Sequence, residues 1–229
     1  MTRVFLVAIG ALFLGAAAIA DDIVTMPTAN QLKALEVDIA AYYLDLSMPS
    51  GAPQFVYYQT LYVGLTDRIE LDIHRAKVNR DEDSVVLVGS IKLVNEGPDT
   101  PDVVIGLRNI TGSATTLAPK LRSKTERRSV YIAAAKTFFM NPEKPGPPLV
   151  RLHAGLGTED WTLLNEGRHK GLFGGLQFLF HPVVGAVVEN DGRDWITGLT
   201  IMPLNSGVTL KGGTYGDHRW YGVAYRKQF

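Results

Sequence analysis

Ile69, Leu71 and Ile73 alternate with Glu70, Asp72 and His74, so six consecutive residues divide into one wholly apolar and one wholly ionisable set. A helix would spread both sets round its circumference. An extended strand separates them cleanly, because successive side chains point to opposite sides. The same period of two returns from Ala34 to Leu44, where Leu35, Val37, Ile39, Ala41 and Tyr43 oppose Ala34, Glu36, Asp38, Ala40 and Tyr42. Good helix formers between Gln31 and Val37 leave a helix as the alternative reading of that stretch. The chain closes on one more such strand: Tyr221, Val223, Tyr225 and Phe229 share a face with Lys227, opposite Gly222, Ala224, Arg226 and Gln228. A two-faced strand that stops on an aromatic residue looks like the closing strand of a bacterial outer-membrane barrel, where the final aromatic is similar to an assembly signal.

The first twenty residues are of another kind. Arg3 precedes an apolar run from Val4 to Leu14, and Ala18-Ile19-Ala20 forms a small-x-small site before Asp21-Asp22. This predicts a cleavable secretory signal peptide over 1–20 and a single domain over 21–229. The alternative, an uncleaved anchor, calls for about 20 apolar residues, more than this run supplies. No later run is long enough for a transmembrane helix. An exported chain of that kind is either periplasmic or crosses the outer membrane as a closed barrel, since helices and barrels alone satisfy every backbone group in lipid.

Lys plus Arg equal Asp plus Glu at 23 each, without a basic excess that would favour a nucleic-acid partner. The absence of cysteine excludes a disulfide framework, a thiolate metal site and a cysteine nucleophile.

Strand and turn signals give an all-β chain: an antiparallel up-and-down transmembrane β-barrel of twelve strands. Thr66-Asp67, His181-Pro182 and Asn190-Asp191-Gly192 are hairpin turns. The four prolines of Asn141 to Pro148 exclude a ladder strand there. Short turns such as Thr66-Asp67 and Pro203 to Ser206 alternate with long polar loops such as Thr111 to Glu126 and Gly157 to Lys170, the asymmetry of periplasmic and external ends. Asn95 to Pro101 and Asn141 to Pro148 are long for periplasmic turns, which keeps ten strands as the alternative count.

If the apolar face meets lipid, the opposite face supplies a list of lumen-lining charges: Glu36, Asp38, Glu70, Asp72, Lys92, Arg108, Lys136, Arg151, Glu189, Asp194, Lys211 and Arg226. Blocks of opposite sign could neutralise one another in a closed polar core or flank a small hydrated pore. The five histidines show no paired i, i+4 spacing for a metal, and no G-x-S-x-G occurs, so neither a metal, a cofactor nor an enzyme is expected. His74 and His153 fall on the inward face, His169 and His218 in loops, and His181 at a turn. Gly171-Leu-Phe-Gly-Gly lacks the Lys-Ser/Thr of a phosphate loop, and glycines inside strands permit bending or close approach. The basic run Lys120 to Arg128 reads as a solvated external loop, with an acidic polysaccharide or lipid headgroups as its alternative partners.

Several of these stretches together resemble the YjbH-like outer-membrane proteins associated with exopolysaccharide production. They are Pro27-Thr28-Ala29, Tyr62 to Glu70, Pro101 to Gly112, Tyr131 to Phe138 with Lys136, Gly171 to Leu176, and Glu189 to Gly192 followed by Gly198-Leu199. The chain departs from that pattern in having no lipoprotein cysteine, in Lys33-Ala34 where a glycine is expected, and in spanning one barrel only. The resemblance implies an outer-membrane barrel connected with polysaccharide export and no catalytic residues.

The expected location is therefore the outer membrane. The expected partners are outer-membrane lipid, the outer-membrane assembly machinery, and a polysaccharide or its export partners. The expected function is assistance in secretion, or passage, of polysaccharide or small polar solutes. Two alternatives are a non-conducting structural or adhesion barrel and a rim-site lipid hydrolase. A soluble β-sandwich or lipocalin-like barrel would need polar outward faces.

Overall fold

The computed structural model of the chain describes residues 27–45, 55–78, 82–110, 128–141, 143, 145–158, 170–203 and 206–229. Every regular element among them is a strand: β1 (Glu36–Asp45), β2 (Phe55–Thr66), β3 (Ile69–Val78), β4 (Glu82–Val94), β5 (Asp102–Arg108), β6 (Ser129–Phe139), β7 (Leu149–Gly157), β8 (Gly171–His181), β9 (Val184–Asn190), β10 (Trp195–Ile201), β11 (Val208–Tyr215) and β12 (His218–Gln228). Each pairs antiparallel with its neighbours in sequence, and β12 pairs with β1 from Glu36↔Gln228 to Asp45↔Arg219, closing the barrel. Closure removes the two free sheet edges that would otherwise expose unpaired backbone groups to lipid. Twelve is thus the strand count, and ten is excluded. The predicted signal peptide and the run Lys120 to Arg128 (bar Arg128) lie outside the described residues, as does His169.

An even number of strands brings the start of β1 and the end of β12 to one rim, the periplasmic one in outer-membrane barrels. Its connections include the tight turns at 67–68 and 182–183, whereas the longest connections in sequence, 109–128 and 158–170, join strand ends at the opposite rim. The two long near-rim connections are not strands misread. Residues 95–101 and 140–148 lie between β4 and β5 and between β6 and β7.

Alternation decides which side each residue faces. Every one of the twelve strands carries an exposed large apolar residue, among them Ile39, Tyr57, Ile73, Ile91, Ile105, Ile132, Leu156, Leu172, Val188, Leu199, Leu210 and Val223. A continuous apolar belt of that extent is incompatible with a water-facing surface. It matches the lipid-facing band of an outer-membrane barrel, and that is where this protein resides. The soluble alternative fails on the same residues. Tyr221 and Tyr225 stand on the belt with Val223, and Phe229 is exposed at the near rim with the Lys227 ammonium 5.0 Å from its ring centroid.

Strand ends differ from the sequence reading in several places: His218, read as a loop residue, begins β12, and Thr66 and His181, read as turn residues, end β2 and β8. Leu35 lies before β1 with a positive φ of 62°, where its N–H donates to the Gly64 carbonyl and its own carbonyl accepts from Phe229 N–H. Asp194 precedes β10: its N–H and that of Arg193 both donate to Asp191 Oδ1, forming a tight bend at the far rim. Its position two residues before the inward Ile196 suggested a strand residue, but the side-chain acceptor of Asp191 turns the chain there first.

Candidate functional site in the barrel lumen

The inward face is built by the residues opposite the lipid belt. Glu36, Asp38, Glu70, Asp72, Arg108, Glu189 and Lys211 are buried, and Lys92, Arg151 and Arg226 are half-buried, with parity placing all ten inside. Lys136 is the exception. It shares its face with Ile132 and Phe138, outside the barrel, and its ammonium bends back to donate to the carbonyls of Gly97, Pro98 and Thr100 at the near rim. A lysine stem lies on an apolar surface while its charge seeks polar partners, so a charge alone does not mark the inward face.

Near that rim the charges form pairs. Arg226 and Asp38 are register partners across the closing seam, and Arg226 donates through Nε and Nη2 to Asp38 Oδ2 at 2.9 and 2.8 Å. Arg151 on β7 donates to Glu96 Oε2 at 2.6 Å and to Asp102 Oδ2 at 2.8 Å, while Lys92 Nζ stands 3.4 Å from Asp102 Oδ1. Glu96 also accepts from Thr137 N–H at 2.6 Å. This network ties the connection 95–101 to the inner wall. Asp102 was absent from the sequence-derived set although its even spacing from Arg108 carries the parity signal. Glu96 stands in a connection, where no periodicity exists to reveal it.

The lumen is not polar throughout. One apolar cluster joins Tyr42, Leu44, Val56, Tyr58, Val187, Ile196, Tyr215 and Trp220, contributed by β1, β2, β9, β10, β11 and β12. Both Trp220 and Ile196 have 0% exposure. Polar atoms of these rings find partners: Trp220 Nε1 donates to the Thr197 and Thr214 carbonyls, Tyr215 Oη to Asp191 Oδ2 at 2.6 Å, and Lys211 Nζ to Tyr42 Oη at 3.2 Å. Tyr58 Oη is hydrogen-bonded to His74 Nδ1. His153 on β7 and Gln177 on β8 are buried on the inner face, and Glu189 leans over Gly175, where a Cβ would lie 2.5 Å from its Cγ.

Glycines decide how the rings lie. Tyr131 on β6 is the register partner of Gly106 on β5, and a Cβ there would sit 2.1 Å from its ring. Phe173 lies likewise over Gly155, and Tyr42 over Gly222. All three rings lean onto the strand that precedes their own around the barrel. The bare backbone thus lets an inward ring lie against the wall instead of standing across the lumen.

The other side of the lumen holds the chain's own N-terminal segment. Ala29, with 0% exposure, packs in a second cluster with Val86, Val88, Val104, Tyr131 and Phe173, all inward residues of β4, β5, β6 and β8. Gln31 Nε2 donates to Ser90 Oγ at 2.6 Å, Leu32 N–H to Glu70 Oε2 at 2.7 Å, Lys33 N–H to Glu36 Oε2 at 3.0 Å and Ala34 N–H to Asp67 Oδ1 at 3.0 Å. The segment crosses the near rim over Gly64, where a Cβ would meet the Lys33 carbonyl at 2.0 Å. Proline and small residues at 27–29 signalled a lead-in; nothing in their pattern signalled that it runs inside the barrel. Among the described residues no group of His, Asp and Glu has the arrangement of a metal site.

Solved structures similar to this one include outer-membrane barrels. The KdgM porin aligns with a TM-score of 0.50 at 11% identity, over 85% of this chain and 99% of that one. This is a porin-type fold. An outer-membrane channel of Pseudomonas putida F1 described as COG4313 aligns at 0.46 and 12% identity, over 92% of this chain and 100% of that one. Omp33 of Acinetobacter baumannii aligns at 0.43 and 11%, over 85% and 97%. No protein-family model and no curated protein sequence matches the chain, so the YjbH-like resemblance is not confirmed. At these identities the likeness concerns the fold alone.

Proposed function

We propose that this barrel passes small polar solutes across the outer membrane through its lumen. The observation that carries this reading is the wall itself: six inward carboxylates (Glu36, Asp38, Glu70, Asp72, Asp102 and Glu189) face five bases (Lys92, Arg108, Arg151, Lys211 and Arg226). Such a wall offers donors and acceptors that replace a solute's hydration. The near balance of sign supports neutral solutes, such as sugars or short oligosaccharides, over polyanions. The polysaccharide connection implied by the family resemblance is compatible with that class. The closing strand with Tyr221, Val223, Tyr225 and Phe229 is assigned the role of assembly element, read by the outer-membrane assembly machinery.

The test is conductance of the refolded protein in planar bilayers, together with efflux of a labelled neutral sugar from vesicles. Intermittent conductance of low ion selectivity is expected, shifting toward cations in Arg108→Ala and toward anions in Glu189→Ala. A folded, heat-modifiable barrel that passes neither ions nor sugar overturns the reading. That result would favour a non-conducting structural barrel, which the closed aromatic cluster around Trp220 and Ile196 supports.

A further inference from the structure

We infer that residues 27–34 are a gate: a segment that closes the lumen from within and must leave its seat for solute to pass. The inference rests on the proposed passage and names the part that regulates it. Two features separate this segment from a permanent core. Up to Ala34 it is joined to the wall by side-chain hydrogen bonds, Gln31 to Ser90 and Leu32 N–H to Glu70, and the backbone bonds that continue into the strand ladder begin only at Leu35. It crosses the rim at one place, Gly64, where the absence of a side chain lets the Lys33 carbonyl approach.

These features give the gate two settings. Seated, the backbone amides of Leu32, Lys33 and Ala34 donate to Glu70, Glu36 and Asp67. Withdrawn, the segment exchanges those bonds for water, and the carboxylates of Glu36 and Glu70 become wall groups available to solute. Each such exchange changes free energy only modestly, because protein and water hydrogen bonds nearly offset one another. A modest difference is what a gate needs, since an equilibrium responds strongly only when its two states lie close in energy.

The closing experiment uses the full chain, whose lack of cysteine makes introduced thiols unambiguous. Gln31→Cys with Ser90→Cys is bridged by a bis-methanethiosulfonate linker and released with reductant; Gly64→Val, separately, places methyl groups where the Lys33 carbonyl lies. The bridge is expected to form in the folded barrel and to silence conductance, with recovery on reduction. Gly64→Val is expected to raise the open fraction about tenfold, the shift from losing one or two net hydrogen bonds. Equal conductance in the bridged, reduced and Gly64→Val proteins overturns the gate and leaves passage standing. Failure of the bridge to form in folded protein overturns the gate whatever the conductance. Silence in all of them, with the bridge formed, overturns passage and the gate with it.

Discussion

Replacing Arg151 by alanine tests how the near rim is held. The guanidinium serves two carboxylates at once, at 2.6 Å to Glu96 and 2.8 Å to Asp102, with side-chain exposures of 12% for Arg151, 22% for Glu96 and 11% for Asp102. Removing one member of a fully buried ion pair costs about 3–5 kcal/mol, whereas an exposed pair contributes about 0–1 kcal/mol. Two lysines remain in place after the change, Lys92 at 3.4 Å from Asp102 and Lys136 at 3.9 Å from Glu96, and they offset part of the stranded charge. The expected loss is therefore about 2–3 kcal/mol, between the two limits. Arg151→Lys keeps the charge but lacks the fork that spans both carboxylates, so it is expected to lose about 1 kcal/mol. The measurement is urea unfolding of the protein folded in lipid vesicles, followed by heat-modifiable migration. A double-mutant cycle with Glu96→Gln isolates the pair from the rest of the network. A loss below about 0.5 kcal/mol for Arg151→Ala, the scale of an ordinary surface change, would refute the reasoning.

Ile132→Arg puts a charge on the lipid belt and is expected to destabilise the barrel by about 2–4 kcal/mol if that position lies at the midplane, read by the same titration. Gly106→Ala forces the Tyr131 ring off the wall at an expected cost of about 1–3 kcal/mol; unchanged stability would mean that the ring does not lie there. Trp220→Phe removes the indole donor to the Thr197 and Thr214 carbonyls, and a loss of about 1 kcal/mol is expected in thermal or urea unfolding. Phe229→Ala, at a side chain with 74% exposure, is expected to change folded stability by less than about 0.5 kcal/mol while reducing the amount of barrel assembled in cells. Membrane fractionation checks the second effect, and normal assembly would count against the terminal aromatic as a signal.

Much of the fold was legible because its cause is local. Ile69 to His74 are inner and outer residues by alternation alone, and the structure places Glu70, Asp72 and His74 inside and Ile69 and Ile73 outside. Tight turns were legible for the same reason, since Asp191 caps its own bend. Lys136 and Asp194 mark where the method fails. A flexible charged stem can leave the face of its own Cβ, and a capping carboxylate can end a strand pattern early.

Within the site the division is similar. Asp38 and Arg226 were each legible as inward charges of opposite sign, but their pairing across the seam depends on the register with which the first strand meets the last. Glycine inside a strand signalled close approach; the register chose Tyr131 for Gly106 and Tyr42 for Gly222. The inward tyrosines, valines and tryptophan were beyond the pattern, because period two says which side a residue faces and not what it meets there.

The sequence by itself thus determined a transmembrane antiparallel barrel and the side taken by nearly every charge, since both follow from backbone pleating and the cost of unpaired polar groups in lipid. Only the tertiary structure decided that the lumen is partly apolar, that Arg151 joins a turn to two strands, and that residues 27–32 fold back inside. Those facts depend on contacts between residues far apart in the chain, brought together when β12 closes on β1 and encloses a space whose filling no local period encodes.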